Sequence, residues 1–126
     1  MNGTYWTLYA FALFGLIAFM VMRRSGQISK KEAAGYVKSG ALVVDVRSPH
    51  EFSSGHLSQA FNFPLDELEG MLPQKVKDKN RVILVHCRTG LRSKKAKERL
   101  QQIGYKNVFD LGSYERAFRI VSGRML

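Results

Sequence analysis

Residues 81–92 read RVILVHCRTGLR, and this stretch decides the fold. Its apolar, mostly β-branched run from Val82 to Val85 predicts a buried strand, and the residues after the glycine predict the start of a helix. Residues 41–46, ALVVDV, repeat the apolar pattern. Because strands covered on both faces are almost continuously apolar, the two runs predict neighbouring central strands of a parallel sheet.

Weaker strand and helix patterns alternate around these two strands. Pro64 can open a short helix, which Pro73 is expected to end. The helical spacing of Ala96, Leu100 and Ile103 predicts a longer helix after the second strand. The full series is a helix from Ser29 to near Gly40, strands at 41–46 and 60–63, a helix at 64–73, a strand at 81–86, a helix at 91–103, a strand at 107–111 and a last helix capped by Ser113. This order predicts the α/β class, with a central parallel sheet of about four to five strands flanked by helices on both faces.

The N-terminal segment is uncharged and apolar. Residues 4–22, TYWTLYAFALFGLIAFMVM, would form a helix about 28 Å long, enough to span a hydrocarbon core. A cleaved signal peptide would need a basic region before the apolar run and a small-residue cleavage site after it, and neither is present. A helix of a soluble core usually keeps one polar face, whereas this segment is apolar nearly all round. We therefore predict a transmembrane helix at 4–22, a linker at 23–27 and one domain at 28–126.

The charged residues all follow this segment. Residues 23–126 contain the 20 Lys and Arg and the 10 Asp and Glu of the chain, which give a net charge of +10. Arg23 and Arg24 follow the apolar run directly, and the positive-inside rule then predicts a single-pass membrane protein with its N-terminus outside and its domain in the cytoplasm. A basic domain attracts nucleic acid, anionic lipid and small anions alike. The Lys- and Arg-rich run at 92–99 is more typical of a solvated helix face, and it could also lie against anionic lipid, so we expect no specific nucleic acid as a partner. The expected partner is the lipid bilayer that the apolar segment would span.

Cys87 is the only cysteine, which excludes an intramolecular disulfide. It lies where a predicted strand ends and a helix begins, a common place for ligand sites in open α/β sheets. Gly90 permits a tight loop whose backbone N–H groups curl round the sulfur, and Arg88 and Arg92 add positive charge. These groups favour a nucleophilic thiolate. The same groups would stabilise a persulfide on Cys87 and bind an anionic sulfur donor such as thiosulfate. The alternative, an inert buried thiol, does not explain the two arginines.

The sequence resembles the single-domain rhodanese, or thiosulfate sulfurtransferase, family over nearly all of residues 28–122. The motifs that carry the resemblance are Asp45-Val-Arg47, Glu51-Phe52, Gly55-His56-Leu57, Ala60-Phe61-Asn62 and the loop CRTGLR at 87–92. The resemblance implies a rhodanese-like fold and a persulfide on Cys87. It implies transfer of sulfur from thiosulfate or another sulfane-sulfur donor to a thiol or cyanide, without a cofactor. The predicted substrate-binding residues are Arg88, Thr89, Gly90, Leu91 and Arg92.

Two further motifs have structural explanations. Asp45 and Arg47 match family positions near the site, and we assign them a supporting role, as an ion pair or a cap of the next turn. His56, with His50 or His86, matches no zinc spacing, so we predict a packed or capping histidine and no metal. One segment departs from the family pattern: many relatives have Gly-Gly and a Trp where residues 111–118 read LGSYERAF. Local packing and the rim of the pocket are expected to differ there.

Other functions stay open at this point. A small phosphatase is the nearest, but only four residues separate Cys87 from Arg92, one fewer than in the loop of tyrosine phosphatases. The shorter loop gives a smaller cradle, better suited to sulfur than to phosphate. A catalytically weak docking or sulfur-carrier module at the membrane is the other alternative, because a fold does not fix a function. The donor, the acceptor, the pathway and the oligomeric state do not follow from the sequence.

Overall fold

The computed structural model describes residues 3–24 and 26–123. Ser25 of the predicted linker and residues 124–126 of the predicted domain lie outside the described residues. The helices are α1 Gly3–Arg24, α2 Lys30–Lys38, α3 Pro49–Ser54, α4 Leu68–Lys75, α5 Leu91–Gln102 and α6 Tyr114–Ser122, with a 3₁₀ turn at Leu65–Glu67. The strands are β1 Leu42–Asp45, β2 Ala60–Asn62, β3 Val82–His86 and β4 Asn107–Gly112.

The four strands form one parallel sheet in the order β2-β1-β3-β4. The two apolar runs lie side by side at its centre, with Val43 opposite Leu84 and Asp45 opposite His86. All four residues of β1 are buried, as a strand covered on both faces requires. The predicted parallel α/β sheet is confirmed.

Helices cover both faces of the sheet and enclose two apolar cores. Side chains of the central strands that point to one face, such as Val44 and Val85, pack with Leu72 and Leu100 of α4 and α5. Those that point to the other face, Val43 and Leu84, pack with α2 and α6. Because all four strands are parallel, their carboxyl ends, and the loops that follow them, lie at one edge of the sheet.

Two local predictions need correction. Pro73 does not end its helix: α4 continues to Lys75, because Leu72 is buried and its carbonyl accepts the Val76 N–H at 2.8 Å, which closes the last turn. Helix α3 is not among the predicted elements, although Ser48 caps it. The Ser48 hydroxyl accepts the Glu51 N–H at 3.2 Å while the Glu51 carboxylate accepts the Ser48 N–H at 3.2 Å, a capping box.

Helix α1 projects from the domain. Its residues Gly3–Met22, with a mean hydropathy of 1.8, are long and apolar enough to cross a membrane by length and composition, and none is buried against the domain. Near its end, the Lys94 ammonium donates to the Met22 carbonyl at 3.2 Å and the Lys97 ammonium to the Gly26 carbonyl at 3.4 Å. The end of α1 therefore lies beside α5.

Candidate active site

The candidate site lies where β1 and β3 end side by side. From β1 the chain continues to β2 on one side, and from β3 to β4 on the other, so the loops after the two strands diverge. Such a switch point leaves a crevice at the carboxyl edge of a parallel sheet. Cys87 directly follows β3, and Arg47 lies two residues after β1, so both residues lie at this edge of the sheet.

Cys87 lies at the base of a tight loop. Its side chain is buried, and its sulfur accepts the backbone N–H of Gly90 at 3.0 Å. Gly90 has φ = 102°, a left-handed conformation that a residue with a Cβ rarely adopts, and α5 begins at the next residue. The Ser93 hydroxyl, from the first turn of α5, lies 3.6 Å from the sulfur. The Gly90 N–H and the positive end of α5 both favour negative charge on this sulfur.

The turn after β4 holds the cysteine loop in place. The Gly112 carbonyl accepts the Cys87 N–H at 3.1 Å, and the Arg88 carbonyl accepts the Tyr114 N–H at 3.2 Å. Gly112 has φ = 86°, and a Cβ there would lie 2.5 Å from Nε2 of Gln27. The segment that departs from the family pattern thus carries a glycine which both its backbone angle and its neighbour require.

Arg92 forms an ion pair with Glu51. Its guanidinium donates to the Glu51 carboxylate through two bonds, of 2.6 and 2.9 Å. These bonds from Arg92 lower the pKa of Glu51 to about 2, and the carboxylate in turn raises the pKa of Arg92. The pair joins α3 to the first turn of α5 and fixes the side chain of Arg92.

Replacing Glu51 with Gln is expected to lower the free energy of unfolding at pH 7 by about 1 kcal/mol, because solvent screens this partly exposed pair. The pKa of Glu51 falls from 4.5 to about 2 on folding, so its stabilisation is complete above pH 4.5. It is lost as the pH falls towards 2. Urea titrations of both proteins between pH 7 and pH 3 should therefore converge. Glu69→Gln, whose carboxylate lies 3.8 Å from Arg99 on the surface, is the control and should show no such trend.

Asp45 and Arg47 form a buried ion pair beside the cysteine loop. Arg47 Nη2 lies 2.7 Å from Asp45 Oδ2 and also donates to the Gly55 carbonyl at 2.8 Å. The guanidinium carbon lies 4.7 Å from the centre of the Tyr114 ring. Burial lowers the pKa of His86, whose Nε2 is 3.8 Å from Asp45 Oδ2, so this imidazole is neutral at pH 7. The pair fixes the crevice between the ends of β1 and β3.

The two arginines of the loop open into different clefts. One cleft, of about 310 Å³, is lined by Arg47, His50, Glu51, Ser54, Arg88 and Tyr114. The other, of about 260 Å³, is lined by Arg92 together with Val46, Ser48, Pro49 and residues 64–67. Arg88, Thr89 and Leu91 are exposed at the surface of the loop. The structure therefore gathers the predicted loop around Cys87 but separates its two cations, with Glu51 between them.

No three His, Cys, Asp or Glu side chains in residues 3–24 and 26–123 are placed to hold a metal ion. The His56 ring stacks on Phe52, with 3.7 Å between the ring centres, and its Nδ1 lies 2.8 Å from the Phe52 carbonyl oxygen. This is the packing role predicted for His56.

Glu51, Ser93 and Tyr114 belong to the site but are not among the predicted site residues. For Glu51, the spacing Ser48-x-x-Glu51 was a usable signal of a helix start, although it does not indicate Arg92 as a partner. Ser93 stands as a small polar residue among the lysines and arginines of α5. Tyr114 lies at the position flagged as a departure from the family.

The family model for the rhodanese-like domain matches residues 29–116. Among curated proteins, the chain is 38% identical over 69 residues to thiosulfate sulfurtransferase PspE of Escherichia coli (strain K12). The matched region covers 55% of this chain and 66% of PspE. The chain is 37% identical over 73 residues to tRNA uridine(34) hydroxylase of Sodalis glossinidius (strain morsitans), covering 55% of this chain but only 21% of that enzyme.

A solved structure described as a rhodanese with anions from E. coli superposes with a TM-score of 0.59 at 34% identity, and covers 61% of this chain and 91% of that one. The chain thus spans somewhat less than two thirds of PspE and about a fifth of the tRNA hydroxylase. The family model covers well over half of the chain, from the cap of α2 into α6. By this match, and by a parallel sheet with its cysteine loop at the switch point, the chain belongs to the rhodanese family.

Proposed function

We propose that this protein is a sulfurtransferase that carries sulfane sulfur as a persulfide on Cys87. The observation that carries the proposal is the Gly90 N–H, which points at the Cys87 sulfur from 3.0 Å at the start of α5. A donor fixed in this way stabilises negative charge on a thiolate and equally on a persulfide, and it needs no reorganisation during the reaction.

The reaction has two steps. The Cys87 thiolate attacks the outer sulfur of an anionic donor such as thiosulfate; the new S–S bond forms as the donor's S–S bond breaks, and sulfite leaves with the electron pair. A thiolate or cyanide then attacks the outer sulfur of the persulfide, takes it as a new bond and returns Cys87 as a thiolate. Neither step needs a metal, an oxidant or a cofactor.

The relatives support the anionic donor. PspE is named as a thiosulfate sulfurtransferase, and the E. coli rhodanese structure is described as containing anions. The match to the tRNA hydroxylase covers only about a fifth of that enzyme. Its hydroxylase activity is therefore weaker support for a function of this chain than the activity of PspE is. In this chain, Arg88 and Arg47 line the cleft next to the cysteine loop and provide a cationic approach for a small anion.

The proposal is tested by incubating the purified protein with thiosulfate and recording its intact mass. We expect a gain of one sulfur atom, located on the peptide that contains Cys87. Addition of cyanide should then restore the original mass and release one equivalent of thiocyanate. If the protein gained no sulfur and produced no thiocyanate, the proposal would be wrong and the docking-module alternative would be favoured.

Arg88→Ala is expected to raise the KM for thiosulfate about tenfold, because one charge-assisted hydrogen bond to the donor is lost. Its kcat with cyanide should change much less, since the Gly90 donor stays in place. Steady-state thiocyanate formation measures both constants. Lys95→Ala removes an exposed cation from α5 at some distance from the cleft and serves as the control. Equal KM values for Arg88→Ala and Lys95→Ala would exclude a donor contact by Arg88.

We also propose that α1 anchors this sulfurtransferase in a membrane with its domain in the cytoplasm. Support comes from the apolar helix Gly3–Met22, which is not buried against the domain, and from Arg23 and Arg24 directly after it. In membranes from expressing cells, alkaline carbonate should leave the full chain in the pellet, and protease should reach the domain only from the cytoplasmic side. Extraction into the supernatant would refute the anchor, and cleavage from outside would refute the orientation.

A further inference from the structure

Helix α5 carries the active-site loop at its N-terminus and a group of lysines directly after it. Its sequence LRSKKAKERLQQ contains five cations and one acid. Arg92 pairs with Glu51 and Arg99 lies 3.8 Å from Glu69. Lys94, Lys95 and Lys97, which we call the lysine group, have no carboxylate within ion-pair distance among the residues that the structure describes.

Two members of the lysine group, Lys94 and Lys97, lie against the end of the apolar helix. Lys94 donates to the carbonyl of Met22, the last residue of the candidate span, and Lys97 donates to the carbonyl of Gly26. Lys94 is three residues after Leu91, about 4.5 Å along the axis of α5. The end of the span therefore lies within one lysine side chain of the helix turn that begins at the cysteine loop.

A membrane surface would meet the domain at this point. The hydrocarbon core ends where the apolar segment ends, and headgroups occupy the next few ångströms. Arg23 and Arg24 follow in the sequence, between the two residues whose carbonyls accept from Lys94 and Lys97. Two acids lie near Lys94 and Lys97: Glu98 is exposed beside them, and Asp110 is buried. The surface around the lysines therefore keeps an excess of positive charge. Clusters of lysine and arginine at the cytoplasmic end of a span attract anionic lipid headgroups.

We propose that the lysine group of α5 binds anionic phospholipid headgroups and holds the Cys87 loop at the membrane surface. The inference rests on the proposed anchor and adds the surface that fixes the domain relative to the bilayer. A domain on a free linker would sample many orientations, whereas this contact would hold the first turn of α5, and with it the Cys87 loop, near the headgroups. The exposed Leu91, 45% accessible at the start of α5, suits the same interface.

The test uses the full chain in lipid nanodiscs made of phosphatidylcholine alone or of phosphatidylcholine mixed with phosphatidylglycerol. The acetylation rate of each lysine is measured by mass spectrometry after brief exposure to an acylating reagent. In the anionic discs, the rate for the lysine group should fall about fivefold, as expected for lysines held at an anionic surface. High salt should remove the difference. Lys77 and Lys106 precede β3 and β4, at the opposite edge of the sheet, and their rates should not depend on the lipid.

A variant separates lipid binding from capping of the Met22 and Gly26 carbonyls. In Lys94→Gln/Lys97→Gln, Lys95 should lose its protection in anionic discs, whereas the matched Lys77→Gln/Lys106→Gln variant should keep it. Both variants should retain sulfur transfer in detergent, which shows that they fold. Equal acetylation of the lysine group in the two lipids would overturn the inference, and the lysines would then only cap the backbone. If instead carbonate extracted the full chain from membranes, the anchor itself would fail, which is a separate outcome.

Discussion

Replacing Cys87 with serine is expected to abolish thiocyanate formation from thiosulfate and cyanide. The serine hydroxyl keeps nearly the same size and can still accept the Gly90 N–H, so the loop should hold its shape. It is a far weaker nucleophile at neutral pH and cannot form a persulfide, so we expect a fall of at least about a thousandfold in kcat/KM. Intact mass after thiosulfate treatment should show no added sulfur.

Ser93→Ala is the matched control for this result. It removes a second small polar side chain from the same place, 3.6 Å from the Cys87 sulfur, but leaves the nucleophile and the Gly90 donor. The Ser93 hydroxyl accepts from the thiol and donates to the Gly90 and Gly112 carbonyls, and the loss of these bonds should reduce kcat/KM by no more than about tenfold. Substantial turnover by Cys87→Ser, or a persulfide on any other group, would contradict the proposed carrier. Circular dichroism of both variants distinguishes lost chemistry from lost fold.

The centre of the fold could be predicted because its signal is local. In ALVVDV and RVILVH every residue that a buried parallel strand needs is contiguous in the sequence, and the structure places these runs at β1 and β3. The position of Cys87 followed from the same signal, since a loop after a central strand has a fixed place at the edge of the sheet. The role of Gly90 was also readable, because its left-handed φ is needed for the turn itself.

The distribution of charge around the site could not be predicted. Glu51 and Arg92 are 41 residues apart, and no periodicity connects them; only the packed fold brings α3 against the start of α5. Arg92 is a substrate contact predicted from the sequence, but Glu51 already holds its guanidinium by two hydrogen bonds. Donor binding at Arg92 would therefore have to compete with this carboxylate. Arg88 is exposed in the neighbouring cleft and forms no ion pair within residues 3–24 and 26–123, so it is the better candidate for first contact with a donor.

Arg47→Met is expected to cause the largest loss of stability among single substitutions at the site. It keeps most of the side-chain volume but removes the guanidinium that lies 2.7 Å from Asp45, and so leaves a fully buried carboxylate beside a neutral His86. Removing one partner of a buried ion pair typically costs about 3–5 kcal/mol. The bond to the Gly55 carbonyl and the contact with Tyr114 are lost as well. Urea unfolding of a soluble fragment, residues 26–126, measures the effect.

The double variant Asp45→Leu/Arg47→Met shows whether the loss of stability in Arg47→Met comes from leaving the Asp45 carboxylate buried without a cation, or from losing the ion pair as such. With both charges gone, no buried carboxylate is left without a cation, so the double variant should be markedly more stable than Arg47→Met alone. Arg99→Met, which loses only a surface contact to Glu69 at 3.8 Å and one backbone bond, is the control and should cost no more than about 1 kcal/mol. If Arg47→Met were no worse than this control, the ion pair would not be what holds the ends of β1 and β3 together. If it unfolded the fragment and the double variant restored it, the supporting role of Asp45 and Arg47 would be to keep the crevice in which Cys87 lies.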